Sequence, residues 1–299
     1  MGMQAMGMQS SAGDSAADRE FDFSAGDFDR VRKLIMTHAG ISLNAGKHNM
    51  VYSRLSRRLR ACGMQSFTEY LDALESDDTP ERQDFINALT TNLTAFWREP
   101  HHFPVLSEHL RRRMAKGGSS HLDIWCSAAS TGEEPYTIAI TAMQAFASMT
   151  PPVRILATDI DTSVLDTARR GTYSAENVAG LDPEVLRRYF LRGSGANQGS
   201  VKVRPEVAAL VVFRRLNLLD ASWPMRGGFS ALFCRNVMIY FDKPTQYAVL
   251  GKMAPLIEPG GLLFAGHSEN FSDAREILRL RGRTVYERLA GEVSARRGN

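Results

Sequence analysis

Two acidic stretches carry the first hint of chemistry. In WCSAASTGEEPYTIAI (125–140) the small residues Ser127, Ala128, Ala129, Ser130 and Gly132 precede Glu133 and Glu134. Small side chains let a backbone approach a ligand closely. Acids are favourable in the first turn of a helix, and for the same reason they line a pyrophosphate poorly. The loop therefore suits a cofactor with cationic groups better than a dinucleotide. Acids that merely cap a helix would leave the same pattern. Asp159 follows Gly132 by 27 residues, at the end of the apolar run Val153–Ala157. An acid at the end of a second strand accepts hydrogen bonds from a ribose diol. Asp161 reads instead as the N-cap of a helix over Ser163–Arg170. An amine-binding acid, a ribose-binding acid and no phosphate cradle describe a nucleoside that carries an amino acid, which is S-adenosylmethionine. His101 and His102 invite a metal reading. Adjacent positions on a helix diverge by about 100°, so no shared ion, and no metal cofactor, is expected.

Those residues need elements to position them. Short apolar runs at Leu122–Trp125, Val153–Ala157, Ala231–Phe233 and Leu262–Ala265 alternate with helical stretches at Glu134–Ala147 and Ser163–Arg170. This rhythm predicts an α/β fold with a parallel sheet covered on both faces. The stretch Tyr173–Arg215 interrupts it with a helical piece (Pro183–Phe190), the glycine-rich GSGANQGS, and the runs Val201–Val203 and Val211–Phe213. It reads as an inserted antiparallel hairpin over about 174–215. Ahead of the sheet, Phe28, Val31, Leu34 and Ile35, then Val51, Leu55, Leu59 and Cys62, then Phe67, Tyr70, Leu71 and Leu74 recur at helical spacing. The predicted division is a disordered tail at 1–20, a helical domain at 21–90, a linker at 91–120, the α/β domain at 121–290 and a tail at 291–299.

Composition narrows the class. The 299 residues are 43% apolar and 23% charged, the balance of a chain that buries a core. No apolar run approaches the ~18 residues of a membrane span, and no signal peptide is expected. Cys62, Cys126 and Cys234 are too scattered for a disulfide framework or a CxxC metal site. The cytoplasm is the expected location. The net charge of +3 conceals segregation: residues 1–29 sum to −5, residues 30–62 to +8, and the rest to zero. Segregated charge speaks to partners rather than to fold.

Dense motifs then point to one family. LTTNLTAFWREPHHF (89–103), WCSAASTGEEPYTIAI (125–140), LATDIDTSVLDTARRGTY (156–173), NLLD (217–220), FCRNVMIYFDKPTQ (233–246) and PGGLLFAGHSENF (259–271) occur in the order found in the chemotaxis receptor methyltransferases (CheR), which the chain resembles over about 25–289. The resemblance implies an all-α N-terminal domain and a Rossmann-like class I methyltransferase sheet with a small β subdomain inserted. It implies transfer of methyl groups from S-adenosylmethionine to receptor glutamates, with S-adenosylhomocysteine as the product. It places Asn92, Thr94 and Arg98 as linker residues over the cofactor, Glu134 on the methionine ammonium and Asp159 on the ribose. Asn217 and Leu218 become the adenine pair, Cys234, Arg235 and Asn236 flank the cofactor, and Tyr240 stands beside the reacting carboxylate. By residue type alone Asn92 and Thr94 are turn residues and Tyr240 a core tyrosine. Trp97 stands where the family often has Phe, and Pro100 where a small residue is common.

The implied nucleophile is a glutamate with an ordinary pKa of about 4.3, ionised at neutral pH, so no strong general base is needed. Arg98 and Tyr240 are the candidates for orienting the reacting groups. On a helix over 47–62, Lys47, Arg54 and Arg58 lie within roughly 40° of one another, with Arg57 and Arg60 widening the face. This face reads either as solvated arginines or, by the resemblance, as the docking surface for the helical cytoplasmic domain of chemoreceptors, with the enzyme a monomer recruited to receptor arrays. Sparse aromatics argue against nucleic acid. A methyltransferase with another acidic substrate, or a non-catalytic cofactor-binding module, are the competing readings.

Overall fold

Ser24 starts the first helix. Its hydroxyl accepts from the Asp27 N–H while the Asp27 carboxylate accepts from the Ser24 N–H. Gly40, at φ 68°, ends it. Helix α1 (Ala25–Ala39) leads to α2 (His48–Cys62), which Gly63 ends in the same way, and then to α3 (Phe67–Glu75) and α4 (Glu81–Leu89). The apolar stripes expected from the spacing meet in one core, which Phe21 and Phe23 also join, except that Cys62, at the end of its helix, is exposed. The computed structural model describes residues 19–76, 79–117, 120–271 and 274–289. The expected tails lie outside these, apart from Arg19 and Glu20.

The remaining elements follow in order: α5 (His102–Ala115), β1 (Leu122–Cys126), α6 (Glu133–Ala145), β2 (Val153–Asp159), α7 (Thr162–Arg170), β3 (Thr172–Ser174), α8 (Pro183–Tyr189), β4 (Phe190–Arg192), β5 (Ser200–Val203), α9 (Pro205–Ala208), β6 (Val211–Arg215), β7 (Phe229–Cys234), α10 (Lys243–Met253), β8 (Ile257–Ala265), β9 (Leu278–Gly282) and β10 (Val285–Arg288). Seven strands form one sheet in the order β6-β2-β1-β7-β8-β10-β9. The first five run parallel, and β10 is antiparallel to both neighbours. Strand order reverses at β1 and β7, so a crevice opens at their carboxyl ends. Successive side chains feed opposite layers. Ile124, Cys126, Ala231 and Phe233 join the core that holds Phe103, Leu106 and Ile138. Trp125, Leu232 and Cys234 join the one that holds Val249 and Met253. Burial on both faces is why these strands read as unbroken apolar runs.

Two expectations change. The stretch 91–120 is not linker throughout, because α5 carries Phe103, Leu106 and Leu110 into the sheet core. The insertion is also shorter than 174–215. Val211–Phe213 belongs to β6, which pairs parallel with β2 from Ile155↔Val211 to Asp159↔Arg215. The small antiparallel sheet is β3-β5-β4, and the glycine-rich loop closes its β4–β5 hairpin. A period of two looks the same in a hairpin and at the edge of a parallel sheet, so the pattern could not separate them.

The helical domain is seated on the sheet through the end of α1. Asn217 Nδ2 donates to the His38 carbonyl at 2.7 Å, and the Ser42 N–H donates to the Tyr240 carbonyl at 3.2 Å. A methyl on Gly40 would stand 2.9 Å from Leu219 Cδ1 and 3.0 Å from the Phe241 ring. Gly40→Ala therefore meets both a left-handed backbone and a filled space. It is expected to destabilise the protein by about 1–3 kcal/mol in urea unfolding; a midpoint equal to wild type would show that this seat is dispensable.

Candidate active site

A cavity of about 260 Å³ opens at the carboxyl ends of β1, β2 and β7. Its walls come from three parts of the chain. The helical domain supplies Ile41, Leu43, Lys47 and Met50. The segment after α4 supplies Asn92, Leu93, Thr94 and Arg98, and the sheet supplies Ser130, Glu134, Asp159, Asn217, Leu218, Arg235, Asn236 and Tyr240. The residues proposed from the sequence for cofactor and catalysis thus converge here, apart from Cys234. That thiol is fully buried in the core that holds Trp125 and Leu232 and does not line the cavity, and burial pushes its pKa up.

Asp159 ends β2 as a buried carboxylate. One oxygen accepts from the Ser130 N–H at 2.8 Å and the other from the Asp161 N–H at 3.0 Å. Burial pushes its pKa up to about 6, against the pull of these N–H groups. Asp161 is the N-cap of α7, accepting from Ser163 and Val164. Its other oxygen accepts from Thr90 Oγ1 at 2.6 Å and Asn92 Nδ2 at 2.8 Å. The side-chain amide of Asn92 therefore ties the linker to the sheet, while the Asn92 backbone carbonyl accepts from Ser130 Oγ. Asn217 is committed likewise: besides its bond to His38, its Oδ1 accepts from the Leu219 N–H.

Arg235 lies at the end of β7 with 4% of its surface exposed. Nη1 pairs with Glu134 Oε2 at 2.6 Å, and Nη2 donates to the Arg98 carbonyl and lies 3.6 Å from Glu99 Oε2. Cys126 donates its S–H to the other Glu134 oxygen at 3.2 Å. Burial would raise the Glu99 carboxyl, but Arg235 and the His267 N–H outweigh it and hold it below its usual range. Arg98 donates from Nη1 to the Leu93 carbonyl at 2.7 Å, closing its own loop. Trp97, Glu99, Ser130 and Asn236 all hold positive φ, between 48° and 58°. Non-glycine residues in this region store strain; here Ser130 and Asn236 line the cavity, and Trp97 and Glu99 flank Arg98, which does.

Glu99 and Glu269 were not singled out from the sequence. Their only signal was membership of the RE and GHSEN runs, since neither sits in a periodic pattern. The two histidines do not diverge as adjacent helix positions are expected to. His101 is the N-cap of α5, in helical backbone conformation, and the His101 and His102 rings nevertheless sit 4.3 Å apart instead of diverging. With Glu99 they form a group whose ligand atoms lie within 4.8 Å of one another. Both Nε2 atoms already face Arg283 and Thr284, and the Arg235 guanidinium lies beside the Glu99 carboxylate.

The basic face of α2 is partly spent inside the molecule. Arg54 donates to the Ala88 and Thr90 carbonyls, at 3.1 and 2.6 Å. Arg58 pairs with Glu81 and Asp84, and Arg60 with Glu20. Arg57 stays exposed, and Lys47 reaches the cavity wall.

A family model described as CheR methyltransferase, SAM binding domain, matches residues 92–286, and one described as CheR methyltransferase, all-alpha domain, matches 26–90. The chain belongs to the CheR methyltransferase family. It is 55% identical over 260 residues to a chemotaxis protein methyltransferase of Klebsiella aerogenes, spanning 87% of this chain and 88% of that one. It is 51% identical to chemotaxis protein methyltransferase 2 of Pseudomonas aeruginosa, spanning 90% and 95% respectively. The sheet is accordingly that of a class I S-adenosylmethionine-dependent methyltransferase, preceded by the family's all-α domain.

The residues present fit that cofactor. The cavity offers carboxylates at Glu134 and Asp159, guanidinium groups at Arg98 and Arg235, and apolar walls at Ile160, Leu216, Leu218 and Phe241. These match an ammonium, a diol, a carboxylate and an adenine ring. Asp159 sets a pH dependence. The native state holds this proton more tightly than the unfolded chain between 3.8 and about 6. Through that window rising pH costs the fold stability, while a diol-binding carboxylate has to be ionised. Cofactor affinity measured by calorimetry is expected to fall about tenfold from pH 7 to pH 5. A flat profile would remove Asp159 as the charged ligand.

Proposed function

We propose that the protein transfers the S-adenosylmethionine methyl group to glutamate side chains of chemoreceptors, forming γ-methyl esters. The observation that carries this reading is the convergence of Arg98 and Tyr240 with the cofactor residues on one cavity beside the helical domain. Bound cofactor supplies an electrophilic sulfonium methyl. The chain's own work is positional. Glu134 and Asp159 bind cofactor, and Arg235 fixes Glu134. Arg98 and Tyr240 orient the incoming carboxylate by a charge-assisted and a neutral hydrogen bond. The substrate carboxylate is already ionised, so catalysis rests on in-line placement and on stripping water from it. Among the described residues, Ile41, Leu43 and Met50 supply an apolar wall that favours this dehydration.

Receptor docking is assigned to the exposed part of the α2 face, Lys47 and Arg57 with Arg60 at its edge. Arg54 and Arg58 are internal braces, and charge reversal there would break bonds to α4 and the segment after it. Electrostatic steering at the exposed cations raises the encounter rate and weakens with salt.

The decisive assay incubates the protein with radiolabelled S-adenosylmethionine and receptor-containing membranes. Base-labile label on the receptors is expected, and its absence would overturn the proposal. Tyr240→Phe should lower turnover more than it lowers cofactor affinity; equal loss of both would make this tyrosine structural. Arg57→Glu should raise the KM for receptor several-fold and leave cofactor affinity unchanged. An unchanged KM would move the docking surface elsewhere.

A further inference from the structure

Glu269 is 5% exposed, and it belongs to neither the cofactor wall nor a regular element. Its carboxylate collects four backbone N–H groups. Oε2 accepts from Asn236 at 3.0 Å and from Gly266 at 2.6 Å, and Oε1 accepts from Val237 at 3.0 Å and from Met238 at 2.8 Å. Three of these donors are consecutive and lead straight into the turn that ends at Tyr240. Such convergence is an anion-binding nest filled by the protein's own acid. Asn236 takes φ 58° to enter it, a conformation that a non-glycine residue holds only when its surroundings impose it.

We propose that Glu269 is the positioning residue that sets Tyr240 against the cofactor cavity, an assignment that rests on the active-site role proposed for Tyr240. The tyrosine is gripped from both ends. Before it, the Glu269 carboxylate fixes the path of Asn236–Met238. After it, the Ser42 N–H holds the Tyr240 carbonyl, and Gln246 Nε2 donates to the Phe241 carbonyl and, on the near side of the turn, to that of Met238. The grip also reaches the cofactor side. Asn236 follows Arg235, which pairs with Glu134, and His267, next to Gly266, donates its N–H to Glu99. Gly266 shows how tightly the turn closes. A Cβ there would lie 2.5 Å from Asn236 Nδ2, 2.9 Å from Asn236 N and 2.9 Å from Glu269 Oε2.

Glu269→Gln keeps the shape and reverses the polarity of one end, because its NH2 group faces two N–H donors. The expected result is a kcat about tenfold or more below wild type, with the S-adenosylmethionine Kd within about twofold of it. A double-variant cycle separates positioning from general damage. If Glu269 acts through Tyr240, then Glu269→Gln combined with Tyr240→Phe is no slower than Tyr240→Phe alone. Losses that multiply would overturn the assignment. If Glu269→Gln does not fold, Gly266→Ala displaces the same turn with the carboxylate retained, and the same cycle with Tyr240→Phe applies. Wild-type transfer with an unchanged kcat in the folded variant would refute the role of Glu269 and leave the methyltransferase reading standing. Failure of the wild type to label receptor glutamate would overturn that reading, and this assignment with it.

Discussion

The buried guanidinium of Arg235 is the interaction on which the site depends. A charge at this depth is tolerated only with close partners, and removing one partner of such a pair typically costs about 3–5 kcal/mol. Its partners come from separate parts of the chain: Glu134 at the start of α6, and the Arg98 carbonyl and Glu99 in the segment after α4. One cation thus pins the segment that carries Arg98 to the two strand ends that border the cavity. Strain at Trp97 and Glu99 is the local consequence, since the segment bends into positive φ to bring its carbonyl and its carboxylate to the same guanidinium.

Carboxylates do the corresponding work for the backbone. Asp159 holds the loop after β1, Asp161 caps α7 and anchors Thr90 and Asn92, and Glu269 holds the turn before Tyr240. Each satisfies N–H or side-chain donors that would otherwise be buried without partners. One of them, Asp159, shapes the fold and also faces the cavity. The bonds by which Asp159 shapes the loop also oppose the upward pull of burial on its pKa.

The helical domain has a double role for the same reason. Its last α1 turn closes against Leu219 and Phe241, and its residues line the cavity, so it is a wall of the site as well as a surface. The +8 segment looked like one docking patch. Folding spends Arg30, Arg54, Arg58 and Arg60 on Asp72 and Glu75, two carbonyls, Glu81 and Asp84, and Glu20. Net charge along a sequence cannot show this, because those partners lie 23 to 45 positions away.

By itself the sequence determined the helical domain, the strand runs of the sheet and the acids at the strand ends. Each of those is a local signal: a 3.6-residue period, an apolar run, or a residue type at a turn. The N-cap role of Asp161 was legible for the same reason. Only the tertiary structure decided the rest. It made β6 an edge of the main sheet, brought α5 into the core, buried Cys234 in the core and set His101 beside His102. It also brought Glu99 and Glu269 to the turns they hold. These outcomes depend on which surfaces meet across long loops, and no local period records that.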